Sequence, residues 1–398
     1  MELISVRTTP GASGRVRVVG EIAYDDRPGR IEECWFDFPE QYSDSLCLSG
    51  SPWLACMLPL ATTLGEPLRI ALPVDRLLYR NAYELVAIWR SWFPRLRGVE
   101  VIAERVDETP AGRKTGVFFS GGVDAFFTLL RNEGPFPEAL PVDELICVGG
   151  FDIPLKNLEA FGRLRATMEG VAGRLGKRLI DVVTNLRETR LEDAGWYDLL
   201  HGPGAIATGL MLGGRYDRLL IASASGYSFP EHAGTNPLTD PLLSTSRTRV
   251  LHDGARFTRQ EKTEFLGSSD LAMGALHVCW NNGADDNCGA CEKCVRTMVG
   301  LELAGRLQNC KTFPRTPVPA LISRLFLSRS AQDHFWKTTA AMALTRGRPD
   351  LSRAIGACVR RSRVFRPIVN FARRLRSRRF LWRFARPIKR RVLKGAIQ

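Results

Sequence analysis

The amino-acid sequence predicts an α/β protein built on an open parallel sheet with flanking helices. Three observations carry that prediction. Between residues 113 and about 266, short apolar runs recur at Gly116-Val117-Phe118-Phe119, Leu145-Ile146-Cys147-Val148, Leu179-Ile180-Asp181-Val182-Val183 and Leu219-Leu220-Ile221-Ala222. Helical patterns at roughly 124–132, 157–175 and 204–213 separate them. Runs this short and this apolar suit strands buried on both faces, as a parallel sheet requires, and the alternation places the functional edge at the carboxyl ends of the strands.

Residues 1–112 read as an N-terminal α+β domain. Arg15-Val16-Arg17-Val18-Val19-Gly20 and Cys34-Trp35-Phe36-Asp37-Phe38 alternate in the manner of strands, and Leu68–Leu72 is a third, held between Pro67 and Pro73. Tyr83 to Trp92 has helical spacing and stops before Pro94. Pro110 and Gly112 mark a boundary, after which 113–310 forms the α/β domain and 311–398 a helical, strongly basic extension.

The 398 residues hold 56 Lys+Arg and 42 Asp+Glu, a net charge of +14. Residues 351–398 contain 16 basic residues and no acid, leaving 40 basic against 42 acidic in the first 350, a net of −2. The excess charge therefore belongs to the tail. Hydrophobic content of 44% with 25% charged residues excludes wholly disordered, collagen-like and coiled-coil classes. No basic segment followed by an apolar one opens the chain, and no apolar run is long enough to span a bilayer, so a cytoplasmic protein is expected.

Phe118-Phe119-Ser120-Gly121-Gly122-Val123-Asp124-Ala125 runs an apolar strand into two glycines and then directly into a helix. Adjacent glycines let consecutive N–H groups converge on an anion, and the helix adds its positive end, so a phosphate or pyrophosphate is the natural occupant. Two other glycine motifs are set aside. Gly202-Pro203-Gly204-Ala205-Ile206-Ala207 has dinucleotide spacing but follows no clear strand, and Gly173–Arg178 lacks the spacing of a Walker loop and reads as a helix end.

Cys279, Cys288, Cys291 and Cys294 fall in a C-x8-C-x2-C-x2-C pattern. Four thiolates favour a closed tetrahedral zinc site, although an iron–sulfur cluster takes the same ligands. His277 lies close enough to replace one ligand. Cys34, Cys47, Cys56, Cys147, Cys310 and Cys358 show no ligand spacing and read as isolated thiols.

The Ser120-Gly121-Gly122-x-Asp124 segment resembles the PP-loop of the ATP-pyrophosphatase superfamily, of the wider HUP-like fold group. Ala125 stands where many of those loops carry a hydroxyl residue. Together with the four-cysteine pattern, the helix at Arg259-Gln260-Glu261-Lys262 and that at Arg296-Thr297-Met298, residues 113–310 resemble 7-cyano-7-deazaguanine synthase. The full chain is longer and is similar to larger bacterial relatives of that enzyme. The resemblance implies ATP and Mg2+ as cofactors, structural Zn2+, and formation of AMP and pyrophosphate. The implied reaction adenylates a small-molecule carboxylate or carbonyl oxygen for attack by a nitrogen nucleophile, a ligase-type chemistry. In that reading Ser120, Gly121, Gly122 and Asp124 bind ATP, and Asp152, after the second strand, lies where adenosine contacts fall. Two alternatives stay open: a tRNA-base modifying PP-loop enzyme, and a catalytically degenerate nucleotide-binding protein.

Arg259 and Lys262 are the candidate catalytic cations, with Glu261 placed to orient Lys262. Segment 223–241 follows a strand and is rich in small residues and proline. Glu231, His232, Asn236 and Asp240 are its candidate substrate contacts.

Residues 360–394 interleave arginines with Phe365, Ile368, Phe371, Leu375, Leu381, Trp382, Phe384, Ile388 and Val392, a pattern that Pro367 and Pro387 are expected to break into pieces. Such a segment suits an anionic membrane surface, from which a peripheral position at the inner face would follow, or RNA; it also suits a helix packed on the rest of the protein. A homo-oligomer is compatible with all of these readings.

Overall fold

In the computed structural model, which describes residues 1–12, 14–109, 112–279, 287–329 and 331–377, one ten-stranded sheet organises the chain. Its strands are β1 (Glu2–Pro10), β2 (Arg15–Ala23), β3 (Ile31–Pro39), β4 (Leu68–Asp75), β5 (Val101–Val106), β6 (Lys114–Phe118), β7 (Glu144–Gly149), β8 (Arg178–Thr184), β9 (Tyr216–Ala222) and β10 (Arg249–Asp253). They lie in the order β10-β9-β6-β7-β8-β3-β2-β1-β4-β5. The helices are α1 (Ser51–Leu64), α2 (Arg76–Trp92), α3 (Val123–Asn132), α4 (Leu158–Arg174), α5 (His201–Leu210), α6 (Arg259–Gly267), α7 (Asp270–Ala275), α8 (Glu292–Leu303), α9 (Val318–Arg324), α10 (Ala331–Thr345) and α11 (Pro349–Ser377).

From β6 to β10 every pairing is parallel, because helices or long loops carry the chain back between strands. Order reverses at β6: β7 and β8 extend the sheet one way, β9 and β10 the other. The crevice beside β6 and β9 is thus the topological switch point, where an open α/β sheet binds its ligand. Short turns join β1, β2 and β3, so these pair antiparallel. β3 then meets β8 antiparallel, with Phe36 opposite Thr184 and Asp37 opposite Val183.

Residues 1–112 therefore continue the α/β sheet instead of forming one of their own. The chain divides into two units, Met1–Lys262 and Thr263–Gln398, so neither 112 nor 310 is the dividing point. The apolar runs explain the first unit's core: Val117, Leu145, Ile146, Ile180, Val182, Leu219 and Leu220 are buried in the sheet, and Phe126 and Phe127 of α3 are buried as well. The second unit is helical, with α11 packing on α9 and α10. No helix among the described residues is long and apolar enough to cross a membrane.

Both glycine motifs that were set aside take structural roles. Gly202-Pro203-Gly204 lies inside α5, and a Cβ on Gly202 would stand 2.1 Å from the Gly234 carbonyl oxygen. Gly176 follows the end of α4 with φ +66°, a conformation glycine adopts without strain. Pro367 does not break the helix, contrary to the expectation from sequence. α11 runs through it, because that position is exposed and the carbonyl deprived of an N–H partner can be hydrated. Pro387 and the tail residues from 378 onward lie outside the described residues.

Candidate functional site

β6 ends at Phe118, and Phe119 donates its N–H to the Ile146 carbonyl at 2.8 Å, which fixes where the chain leaves the sheet. Gly121 then turns with φ +75°, a region that opposes any Cβ. The first helical hydrogen bond of α3 runs from Phe126 N–H to Gly122 O at 2.9 Å. Amides ahead of Phe126 have no carbonyl behind them within the helix and present the positive end of α3. Ser120 is exposed at the mouth of this turn, whereas Ala125 is buried, only 5% exposed.

Two cations converge beside the turn. Arg259 Nη1 bonds the Asp124 carboxylate, and Lys262 Nζ lies 3.6 Å from Asp124 Oδ1. Lys262 also donates to the carbonyl oxygen of Ser223 at 2.6 Å, just beyond the end of β9. Its side chain is 1% exposed, so burial pulls its pKa below the ordinary lysine value; Asp124 opposes that shift and Arg259 adds to it. With one carboxylate between two cations, the cluster carries a net positive charge at the switch point. Asp253, at the end of β10, is buried near Lys262, with Arg131 of α3 3.4 Å from its Oδ1.

Glu261 does not orient Lys262. Its Oε2 accepts from the Thr258 N–H and hydroxyl at 2.7 and 2.8 Å, while its own N–H points back to Thr258 Oγ1 at 3.3 Å. This reciprocal capping box starts α6 and so aims Arg259 and Lys262 together. Asp152 is exposed in the loop after β7.

The candidates in segment 223–241 separate into two groups. Asn236 and Asp240 are turned inward. Asn236 Nδ2 donates to Glu231 O and its Oδ1 accepts from Leu238 N–H, at 2.8 and 2.9 Å. Asp240 Oδ1 accepts from Asn236 N–H, and its Oδ2 meets His252 Nδ1 at 2.7 Å. Full burial raises the Asp240 pKa against the pull of His252. These two residues shape the loop. His232 is exposed and stacks on Trp92, with ring centroids 4.9 Å apart and planes 6° from parallel, and Glu231 accepts from the Tyr197 hydroxyl at 2.9 Å.

In the second unit Cys279, Cys288, Cys291 and Cys294 bring their sulfurs within 4.8 Å of one another. Sulfur pairs 279–291 and 288–294 are 3.9 Å apart. Tetrahedral zinc with bonds of about 2.3 Å needs sulfurs about 3.8 Å apart, so the set fits that ion. Cys288 Sγ accepts from the N–H groups of Cys291 and Ala290 at 3.2 and 3.4 Å, the local turn that aims these thiols inward. Gly289 makes the turn possible: its φ is +67°, and a Cβ there would stand 2.3 Å from Pro314 Cγ. His277 is outside the group, and all ten cysteines are free of disulfides. The other six thiols are buried.

Sequence reasoning missed Asn287. Its Oδ1 accepts from the N–H groups of Val278 and Cys279, and its Nδ2 donates to Leu276 O, tying the first ligand to the turn bearing the other three. The signal was its place directly before Cys288. Residues 280–286 of the intervening loop lie outside the described residues. Arg131, Asp253 and His252 were also missed, since nothing in their local sequence separates them from ordinary strand and helix positions.

Comparison of the chain with family models, with curated proteins and with solved structures gives no match.

Proposed function

We propose that this protein is an ATP-dependent enzyme that forms AMP and pyrophosphate, activating a small-molecule carboxylate or carbonyl oxygen for attack by a nitrogen nucleophile. The observation that carries the reading is the convergence of Arg259 and Lys262 on Asp124 beside the Ser120-Gly121-Gly122 turn, at the sheet's switch point. The resemblance of that turn to the PP-loop supports the same chemistry.

In this reading the β- and γ-phosphates lie on the turn and on the positive end of α3. Lys262 and Arg259 face the charge that develops as pyrophosphate leaves. Such groups act best when they are already fixed, and Ser223 O, Asp124 and the capping box hold both before ATP arrives. Magnesium would share the phosphate charge, with Asp124 in the first turn of α3 the carboxylate beside the glycine turn. Transfer of AMP makes the acid's oxygen a good leaving group, and attack by the nitrogen nucleophile then releases AMP. Zinc at the four thiolates would be structural, because a closed set leaves no position for a reacting water.

The test uses ATP, magnesium, ammonia and a panel of carboxylic acids labelled with oxygen-18. The reading predicts AMP that carries one labelled oxygen together with pyrophosphate. ADP and inorganic phosphate as the only products refute it.

A further inference from the structure

The described part of α11 carries a feature that nucleotide chemistry does not use. Leu351, Ile355, Cys358 and Ser362 are buried along one side of the helix, at spacings of four, three and four residues. Val364, Phe365, Ile368 and Phe371 are 67%, 42%, 55% and 64% exposed. Val364 lies two positions beyond Ser362, about 200° round the helix, so the second apolar stripe faces away from the first.

The buried side is firmly held. Arg363 Nε and Arg366 Nη2 bond the two Asp333 oxygens of α10 at 2.8 and 2.6 Å. Arg361 donates to Leu325 O at 2.6 Å, and Ser362 Oγ accepts from Leu327 N–H at 3.0 Å. These contacts fix the rotation of the helix and leave the Val364–Phe371 side facing outward. Arg353 and Arg360 are exposed, and Arg360 stands one turn before Val364. After Asp350 the sequence has no acidic residue to its end, while arginine and lysine recur among apolar residues to 394.

We propose that this outward face of α11 is a docking surface for an anionic lipid bilayer. The helix would lie in the interfacial plane with Phe365, Ile368 and Phe371 among the acyl chains and the cations at the headgroups. Charge complementarity selects an anionic partner. The composition of the stripe selects lipid over nucleic acid: Val364 and Ile368 offer no ring on which a base could stack, whereas hydrocarbon accepts aliphatic and aromatic side chains alike.

The experiment is co-sedimentation of the full chain with vesicles of phosphatidylcholine mixed with phosphatidylserine, and with pure phosphatidylcholine vesicles, at low and high salt. A triple variant, Phe365→Ser with Ile368→Ser and Phe371→Ser, is compared after its thermal unfolding is shown to match the parent. A second variant, Arg353→Ser with Arg360→Ser, leaves the apolar stripe intact. The proposal expects partitioning onto the mixed vesicles at least about tenfold above that onto the neutral ones. It expects a loss of about tenfold or more in the triple variant and a smaller, salt-sensitive loss in the second. Equal binding by parent and triple variant overturns it, as does failure to bind the mixed vesicles. Single-stranded RNA binding that survives the triple substitution, without vesicle binding, assigns the charge to nucleic acid and also overturns it.

Discussion

Arg259 at the start of α6 closes on the carboxylate of Asp124 in the first turn of α3, across 135 positions of sequence. The contact sets a guanidinium and, through its neighbour Lys262, a buried ammonium beside the glycine turn that ends β6. Everything proposed for ATP depends on that pairing and on the turn beneath it.

Gly121 holds a left-handed backbone conformation that residues with a Cβ rarely adopt. Gly121→Ala forces a side chain into φ +75° at a cost of about 1–2 kcal/mol. Relief of that strain would rotate the amides away from the phosphates. Equilibrium titration should show ATP affinity falling at least about tenfold, more than the loss of folding stability alone would produce. Unchanged affinity would remove the turn from the site.

Arg259→Lys keeps the charge and loses the planar fork. Lys262→Met removes the buried cation. Each is expected to lower kcat about a hundredfold with a smaller change in KM, since the charge they face appears mainly as pyrophosphate departs.

Stability against pH gives an independent check on Lys262. Its pKa lies below the ordinary lysine value of about 10.4, so the folded state binds this proton less tightly than the unfolded chain. The resulting cost is full below the folded pKa and is relieved as pH rises from there towards the unfolded value. Urea midpoints of the parent should therefore gain on those of Lys262→Met as pH increases through that window. A gap that stays constant would contradict the burial.

Zinc analysis should find about one ion per chain, and Cys291→Ser should lose it. Asn287→Ala should keep the four thiols but weaken retention against a chelator, because it releases Val278 and Cys279 from the turn. An iron-containing brown protein would replace zinc with a cluster in the account.

Asp333 tests the anchoring of α11. Burial alone would raise its pKa, but Arg366 and Arg363 outweigh burial and hold it below the ordinary aspartate value. Its contribution is therefore present above about pH 4 and lost as pH falls through the lowered folded pKa. Asp333→Asn should cost about 1–3 kcal/mol at neutral pH, with the gap to the parent closing in acid. Chemical unfolding at several pH values reads both.

Much of this was legible from sequence wherever the pattern was regular. The runs from Val117 to Leu220 are apolar except at Asp181 and hold the buried Val117, Leu145, Ile146, Ile180, Val182, Leu219 and Leu220, and that burial is what made them visible. α1 was not visible: it is apolar on every side, with Pro52 and Pro59 within it, so it has no periodicity to detect although twelve of its residues are buried. β1 and β10 mix arginine, threonine and histidine with their apolar positions, and only pairing within the sheet reveals them as strands. α2 begins at Arg76, not near Tyr83, because the Asp75 carboxylate caps the N–H groups of Leu77 and Leu78. At the site, Ser120–Gly122 and the cysteines announced themselves by spacing. The Ser223 carbonyl and Asn287 did not, since each acts through contacts that only the folded chain creates.

The most direct measurement follows two labels in ATP. The protein is incubated with magnesium, a metabolite extract and ATP labelled in the α-phosphate or, separately, the γ-phosphate. The expected result is the α label in AMP and the γ label in pyrophosphate, with both products formed about a hundredfold more slowly by Lys262→Met. The α label in ADP with the γ label in inorganic phosphate would contradict it.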